Sequence, residues 1–429
     1  MVKKLARSYP GRLILGLMAS VITLGTTLLA LPIATVNPVS LLDLFFTATS
    51  ATCVCSQLTI PLSHFSTFGK TVILMLIQIG GIGVMTLSIV FMSMFLDLGL
   101  TTQLMAGKFL EMEGHSKSKQ ILRFIFSSTL LIEVIGALLI LIVVPGFTIF
   151  EALFHSISSF CNAGFSLTPH LLENFSNNYK MLAITMTLIT LGGLGFVVLY
   201  ELLTYPFQKK RPQLSLHTKT VLVSAIVIII FGTLSFLTIQ YGSLSIHNLI
   251  NSLFNAISIR STGYLTIPVF SIVLPIYLLI MIISFIGSAP GSTGSGIKTT
   301  AFFISFAAAK AVLMGKKNVQ LFGREINIGQ IQKVLAILIL SFSWILLSTF
   351  TLLISEGSGF LITLFESVSS FCNLGLTIGL TSHLSDFGKI ITIISIIMGR
   401  VGPITLALAF ASKRETKTIS YPEEKLMLS

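Results

Sequence analysis

Apolar runs long enough to span a membrane alternate along this chain with shorter amphipathic runs that stop at strips of small residues. Leu13 to Leu31 is 19 residues without a charge, which at 1.5 Å per residue crosses about 30 Å of hydrocarbon. Pro38 to Ala51, capped by Ser40, is too short to span, and Val72 to Leu96 crosses again, interrupted by Gly80-Gly81-Ile82-Gly83. The plan recurs as Phe124 to Val144, Glu151 to Phe160, then Met181 to Tyr200 with Gly192-Gly193-Leu194-Gly195 inside it. A third set is Val221 to Ile239, Ser245 to Ile259 and Ser271 to Phe285. The fourth is Val334 to Ile354, Gly359 to Phe371, and Ile390 to Met398 with a continuation from Ile404. The pattern predicts an all-α integral membrane protein with eight spans and four re-entrant half-helices.

The re-entrant stretches are copies of one another. Leu153 to Thr168 returns as Leu364 to Thr377, with weaker copies from Phe45 to Thr59 and from Leu253 to Thr266. Aligned on Gly164, the partners are Ser56, Gly263 and Gly375, at intervals of 108, 99 and 112 residues. A period near a quarter of the chain predicts four helix–pore-loop–helix repeats, at 1–107, 108–216, 217–328 and 329–411, followed by a tail at 412–429. Two spans per repeat give every repeat the same orientation, like repeats about an axis normal to the membrane. Non-helical backbone at membrane depth is tolerated only where it lines water or is buried in protein. The repeat therefore implies one central pore.

Selecting cations with backbone oxygens requires carbonyls that replace a hydration shell, on an extended strip with φ values that glycine visits freely. Cys161-Asn162-Ala163-Gly164, Arg260-Ser261-Thr262-Gly263 and Cys372-Asn373-Leu374-Gly375 fit that requirement. The half-helices before them would aim C-terminal dipoles, about half a negative charge each, at the centre. The first strip, Cys53-Val54-Cys55-Ser56, departs by placing serine where the others have glycine. A non-glycine residue at positive φ costs about 1–2 kcal/mol. That serine reads either as a tolerated small substitution or as altered selectivity, with sodium gaining on potassium. All four cysteines of the chain lie in these strips without metal-ligand spacing, which favours small buried packing residues over redox chemistry.

Below the strips the third inner segment breaks at Gly287-Ser288-Ala289-Pro290-Gly291-Ser292-Thr293-Gly294-Ser295-Gly296, and Lys298 follows. Such a run cannot remain helical, since Gly and Pro cost roughly 1 and 3 kcal/mol each in a helix interior. Gly80, Gly287 and Gly399 each fall 24 residues after their aligned strip position, which places the breaks at one depth. Small residues also serve helix packing, but a ten-residue loop inside a span favours a movable barrier. Arg400 lies at that depth, within Gly399-Arg400-Val401-Gly402-Pro403. A mid-span arginine costs about 2.5 kcal/mol or more on insertion scales. It is expected to act in the pore, the alternative being an ion pair between units or subunits. Glu133, in an outer helix, is expected to make a structural pair or interface rather than to bind ions.

Composition agrees. Of 429 residues 53% are hydrophobic and 10% charged, with mean hydropathy +0.94, whereas a soluble domain carries about 25% charged residues. Met1 to Arg12 is basic and no small-residue cleavage site follows the first apolar run, so no cleavable signal is expected. The net charge of +12 is not a nucleic-acid signature, because the basic residues alternate by connection. Lys108–Arg123, Lys209–Lys219, Lys310–Lys333, Lys413–Lys425 and the N-terminus hold most of them, while the other connections hold Lys70, Lys180, Arg260 and Lys389. This alternation places both termini in the cytoplasm. An intramembrane enzyme lacks support, since His-Glu-x-x-His, paired intramembrane aspartates and a Ser-His-Asp set at one depth are all missing. A carrier for organic substrates would need side-chain ligands, where the strips offer backbone and small groups.

Phe160 to Ser166, Pro290 to Thr300 and Gly399 to Pro403 together resemble motifs of the Trk/Ktr/HKT superfamily of cation transporters, over roughly Leu13 to Ala411. The resemblance is greatest to the Ktr type of potassium-uptake membrane subunit, because the extra N-terminal helix pair of many Trk-type members is absent from this sequence. It implies a homodimer in the plasma (inner) membrane with one pore per subunit, K+ or possibly Na+ as the transported ion, and a cytoplasmic nucleotide-binding ring as gating partner. Nucleotide would then act only through that ring. It also implies filter glycines at Gly164, Gly263 and Gly375, an intramembrane gate at Gly287–Gly296 and a pore arginine at Arg400. In that family the first strip usually reads Thr-Gly-Leu where this chain has Cys55-Ser56-Gln57, and in some plant relatives a serine there accompanies sodium preference.

Overall fold

A computed structural model describes residues 10–83, 118–168, 170–205, 214–316 and 318–403. The expected continuation of the first inner segment to Leu96, the basic stretch at 108–117, the run from Ile404 and the tail lie outside those residues. The first unit consists of α1 (Pro10–Leu29), the half-helix α2 (Leu41–Cys53) and the inner helix α3 (Thr67–Ile82). The second has α4 (Ser118–Val143), α5 (Ile149–Phe160), α6 (Tyr179–Gly193) and α7 (Phe196–Thr204). In the third, α8 (Leu216–Ser235) continues into a π-helical turn at Phe236–Tyr241, and α9 (Ile246–Ser258), α10 (Leu274–Ile286) and α11 (Thr299–Leu313) follow. A two-residue hairpin pairs Gln320–Leu321 with Arg324–Glu325 and leads to α12 (Ile328–Glu356), α13 (Phe360–Cys372) and α14 (Asp386–Val401) of the fourth.

Arg123–Val143, Leu216–Tyr241 and Ile328–Glu356 are, among the described residues, the helices individually long and apolar enough to cross a membrane. The inner helices are shorter because they break part-way. The expected span from Met181 to Tyr200 is in fact two helices bent by 102°, with Gly195 between them at φ 88°, ψ 141°. Gly83 (φ 96°, ψ 126°) ends α3 and Gly402 (φ 86°, ψ 138°) ends α14 in nearly the same conformation. Glycine is required at each, since residues with a Cβ avoid that region. The hairpin and the π turn had no sequence signal in the apolar pattern.

Three of the four half-helices start where a side chain caps them. Ser40 accepts from Asp43 N–H at 3.1 Å, and Thr148 and Glu151 form a reciprocal capping box, as expected for Ser or Thr followed three residues later by an acid. Each buries a phenylalanine at one register: Phe46, Phe154, Phe254 and Phe365, none more than 1% exposed.

Closure comes from one contact used four times. The inner helix of each unit packs on the half-helix of the next: α3 on α5, α6 on α9, α10 on α13, and α14 back on α2. In three units the inner helix also comes close to the end of its own half-helix. A Cβ added at Gly80, Gly192 or Gly399 would run into the carbonyl oxygen of Thr52, Phe160 or Phe371, respectively, each four residues before its unit's aligned strip position. Gly192, not a residue 24 positions after Gly164, is thus the second unit's member of this set. The four-residue helical turn Leu171–Asn174 adds one turn to that unit's connection.

Gly399→Ala is expected to lower the apparent melting temperature in detergent, by the roughly 1–3 kcal/mol that overpacking costs. Gly16→Ala, on an exposed helix face with nothing within 4 Å of the new Cβ, should leave that temperature unchanged or raise it.

Candidate functional site

At the end of each half-helix a serine carbonyl accepts the backbone N–H of the strip. Cys55 N–H reaches Ser50 O at 2.9 Å, Ala163 reaches Ser158 O at 2.7 Å, Leu374 reaches Ser369 O at 2.9 Å, and Gly263 reaches Ser258 O at 3.1 Å. The closing residue is left-handed in three strips: Val54 (φ 61°), Asn162 (φ 56°) and Asn373 (φ 52°). Asparagine tolerates this region well, whereas a β-branched valine there is an outlier. The third strip is one residue shorter between serine and glycine and has no left-handed residue before Gly263. By helix register Arg260 therefore matches Phe160 rather than Cys161. Arg260 is 7% exposed, and its Nε has no hydrogen-bond partner among the described residues.

The aligned positions then share one conformation, with φ of 61° at Ser56, 76° at Gly164, 74° at Gly263 and 84° at Gly375. All four are half-exposed, while the residues on either side of each are buried. They also meet. A Cβ on Gly164 would strike Thr262 O, one on Gly263 would strike Leu374 O, and one on Gly375 would strike Cys55 O. Three strips thus lay the carbonyl preceding the aligned residue against the glycine of a neighbouring strip. The Ser56 hydroxyl lies beside both Gly375 and Gly164, 2.7 Å from where a Cβ on Gly164 would be.

The loop from Gly287 to Lys298 packs against the half-helix C-termini. Thr293 Oγ1 donates to Phe160 O (3.0 Å) and accepts from Asn162 Nδ2 (2.8 Å), and Asn162 Oδ1 accepts from Thr262 Oγ1 (2.9 Å). Ala289 and Thr293 N–H groups bond to Gly193 and Gly192 carbonyls at 3.2 Å, and Phe196 N–H bonds to Gly291 O at 3.0 Å. The loop thus satisfies backbone groups that the bend between α6 and α7 sets free. Ser288 N–H bonds to Ser295 O (3.3 Å), and Lys298 Nζ donates to Gly294 O (2.8 Å). Gly294 lies against the hydroxyls of Ser288 and Ser261, where a Cβ would not fit. Ser292 Oγ donates to Ala289 O (2.6 Å), and Gly296 turns the chain at φ 82°.

Arg400 comes from the fourth unit to this loop. Its guanidinium donates to Thr293 O (2.6 Å), to Ser295 Oγ (3.0 Å) and to Gly80 O, and it makes no ion pair among the described residues. Asn373, with its amide oriented to satisfy both ends, donates to Ile396 O and Ser370 O and accepts from Ser295 Oγ and Arg400 N–H, each at 3.2 Å. Glu133 is 2% exposed and accepts from Gln78 Nε2 of α3 at 2.9 Å, with the Cys161 thiol 3.8 Å away. It joins two units, and no basic side chain among the described residues pairs with it. Cys53, Cys55, Cys161 and Cys372 are free and buried.

Sequence reading missed a further cluster. Gln57, just after Ser56, donates to buried Glu366 of α13 (3.0 Å), and Ser370 Oγ donates to Gln57 Oε1 (2.9 Å). The two residues are 309 positions apart, and only the ring closure of the first unit on the fourth brings them together.

Half-helices that point converging backbone strips at one lumen define a multi-pass, pore-loop membrane protein. The profile of the TrkH family, described as cation transport protein, matches residues 17–420, and the chain belongs to that family. It is 35% identical to Ktr system potassium uptake protein B of Bacillus subtilis, over 96% of this chain and 95% of that one. It is 34% identical to the protein of the same name from Vibrio alginolyticus, over 97% and 94%. Potassium/sodium uptake protein NtpJ of Enterococcus hirae is 31% identical, over 98% of each chain. The crystal structure of the potassium transporter TrkH from Vibrio parahaemolyticus shares the fold, with a TM-score of 0.73 at 19% identity over 92% of this chain and 84% of that one.

Asn162→Leu removes the amide that joins the second strip, the third strip and the loop, leaving buried partners unsatisfied at roughly 1–3 kcal/mol. The expected result is a lower melting temperature and faster proteolysis at Gly287–Lys298, read by limited digestion in detergent.

Proposed function

We propose that the chain is the membrane subunit of a monovalent-cation uptake system, carrying potassium through a pore lined by strip carbonyls. One observation supports this above the rest: four aligned residues share positive φ and half-exposure between buried neighbours. That is the backbone form in which main-chain oxygens can replace an ion's hydration shell. In this reading Cys53–Ser56, Cys161–Gly164, Arg260–Gly263 and Cys372–Gly375 form the filter. Gly287–Lys298 is the gate, and Arg400 holds it across the pathway as a fixed positive charge that limits leak. The protein would work as a homodimer in the plasma membrane with cytoplasmic termini, gated by a nucleotide-binding ring, with the repeat boundaries 1–107, 108–216, 217–328 and 329–411.

A sodium-selective or mixed transporter is the second reading, favoured by one feature. The Ser56 side chain sits between two other strips, which narrows the ring and adds a hydroxyl oxygen. Uptake into proteoliposomes of potassium, sodium and an impermeant organic cation separates the readings, and no uptake of either alkali ion would refute both. Ser56→Gly is expected to raise the potassium-to-sodium uptake ratio several-fold, since about 1.4 kcal/mol of differential binding is tenfold. Arg400→Ala, which frees Thr293 O, Ser295 Oγ and Gly80 O, is expected to raise basal flux in the same assay. Loss of assembly at unchanged flux per assembled protein would reduce Arg400 to a structural brace.

A further inference from the structure

Glu366 is 0% exposed, yet no basic side chain among the described residues pairs with it. It accepts instead from three donors: Gln57 Nε2 and the Thr381 hydroxyl at Oε1, and the Thr377 hydroxyl at Oε2, 3.0 Å away. Thr377 Oγ1 itself accepts from Gly379 N–H (3.1 Å), which leaves the hydroxyl proton for Glu366. Gln57 is held at both ends, because its Oε1 accepts from Ser370 Oγ (2.9 Å) while its Nε2 donates. An amide fixed in this way pins the backbone next to Ser56.

The register gives the cluster its meaning. His155 occupies in α5 the position of Glu366 in α13, nine residues before the aligned glycine. Its ring stacks on Tyr264, the residue after the third strip's glycine, with centroids 5.4 Å apart. The residue after a strip thus leans on the half-helix of the preceding unit, Tyr264 on His155 and Gln57 on Glu366. The other residues at that strip position, Phe165 and Leu376, are buried and apolar. The one strip that has lost its glycine is therefore the one tied down by an amide–carboxylate bond.

Resting on the cation-uptake reading, we propose that the Gln57–Glu366 hydrogen bond is a specificity-determining clamp, in which Glu366 acts as a positioning residue through Gln57. It holds Ser56 at positive φ and so fixes the ring width that discriminates potassium from sodium. Without the clamp, the strain of a serine at that φ would relax by backbone rotation, and the carbonyl of Cys55 would leave the ring.

The test is the potassium-to-sodium uptake ratio of the full chain in proteoliposomes, with melting temperature measured in parallel. Gln57→Leu cuts the clamp, and leucine at Leu376 shows that an apolar side chain fits this register. The ratio is expected to move by about threefold or more, in line with coupling between contacting residues. Gln57→Glu sets two carboxyl groups against each other and should also shift it, whereas adding Glu366→Gln rebuilds the bond with its ends exchanged and should bring the ratio back to within about twofold of the starting value. A purely structural role would move melting temperatures and leave the ratio fixed in every variant, which overturns the clamp. A shifted ratio that the exchange fails to restore also overturns it. If the unaltered chain carries neither ion, the uptake reading itself falls; an unaltered chain that carries ions while its variants keep the same ratio sinks only the clamp.

Discussion

The structure depends on one close approach, that of a carbonyl oxygen on one strip to the Cα of the aligned glycine on the next. No side chain fits between them at Gly164, Gly263 or Gly375. The strips can meet this tightly only if the half-helices behind them are held at matched depth. The buried phenylalanines at one register and the inner-helix-on-half-helix contact serve that end. Within three units the inner helix makes a like carbonyl-on-glycine approach to its own half-helix, at Gly80, Gly192 and Gly399. Small residues replace bulk wherever two backbones must touch, the device membrane interiors use because lipid supplies no hydrophobic drive between helices.

Four charged groups at this depth, Arg400, Lys298, Glu133 and Glu366, are met among the described residues by backbone, amide or hydroxyl partners rather than by opposite charges. Arg400 donates to two carbonyls and a hydroxyl, Lys298 to a carbonyl, Glu133 accepts from an amide, and Glu366 from an amide and two hydroxyls. Breaking a buried ion pair leaves a bare charge at several kcal/mol. Neutral partners instead spread the charge over dipoles that survive small displacements.

Much of this was legible in the sequence, and the reasons are local. Repeats, short apolar runs and the Gly/Ser-rich break are properties of contiguous residues, so period and composition expose them. Gly192 was not legible by spacing because the turn Leu171–Asn174 lengthens one connection without changing its apolar pattern. The short link before Gly263 was hidden for the same kind of reason: a one-residue difference in a strip leaves the motif looking aligned while the helix register shifts. Arg400 presented two candidate partners on insertion cost alone, and its actual partners are main-chain atoms, which no residue type announces. The Gln57–Glu366 bond joins residues at opposite ends of the chain and exists only because the fourth unit closes on the first.

The departures from four-fold symmetry are as constrained as the symmetry. Three inner helices end or bend at a single glycine of common conformation, Gly83, Gly195 and Gly402, while the third opens into a loop. Four loops of that length would need four sets of partners for their freed backbone groups. One loop can be held by the other three units instead: by Asn162, Gly192 and Gly193 of the second, and by Arg400 of the fourth, which also grips Gly80 of the first. Three of its backbone bonds go to the second unit's bend, which needs them as much as the loop does. Displacing the loop would leave unpaired groups on both sides unless water follows it in. If the loop is the proposed gate, its opening and the wetting of its freed backbone groups would be one event.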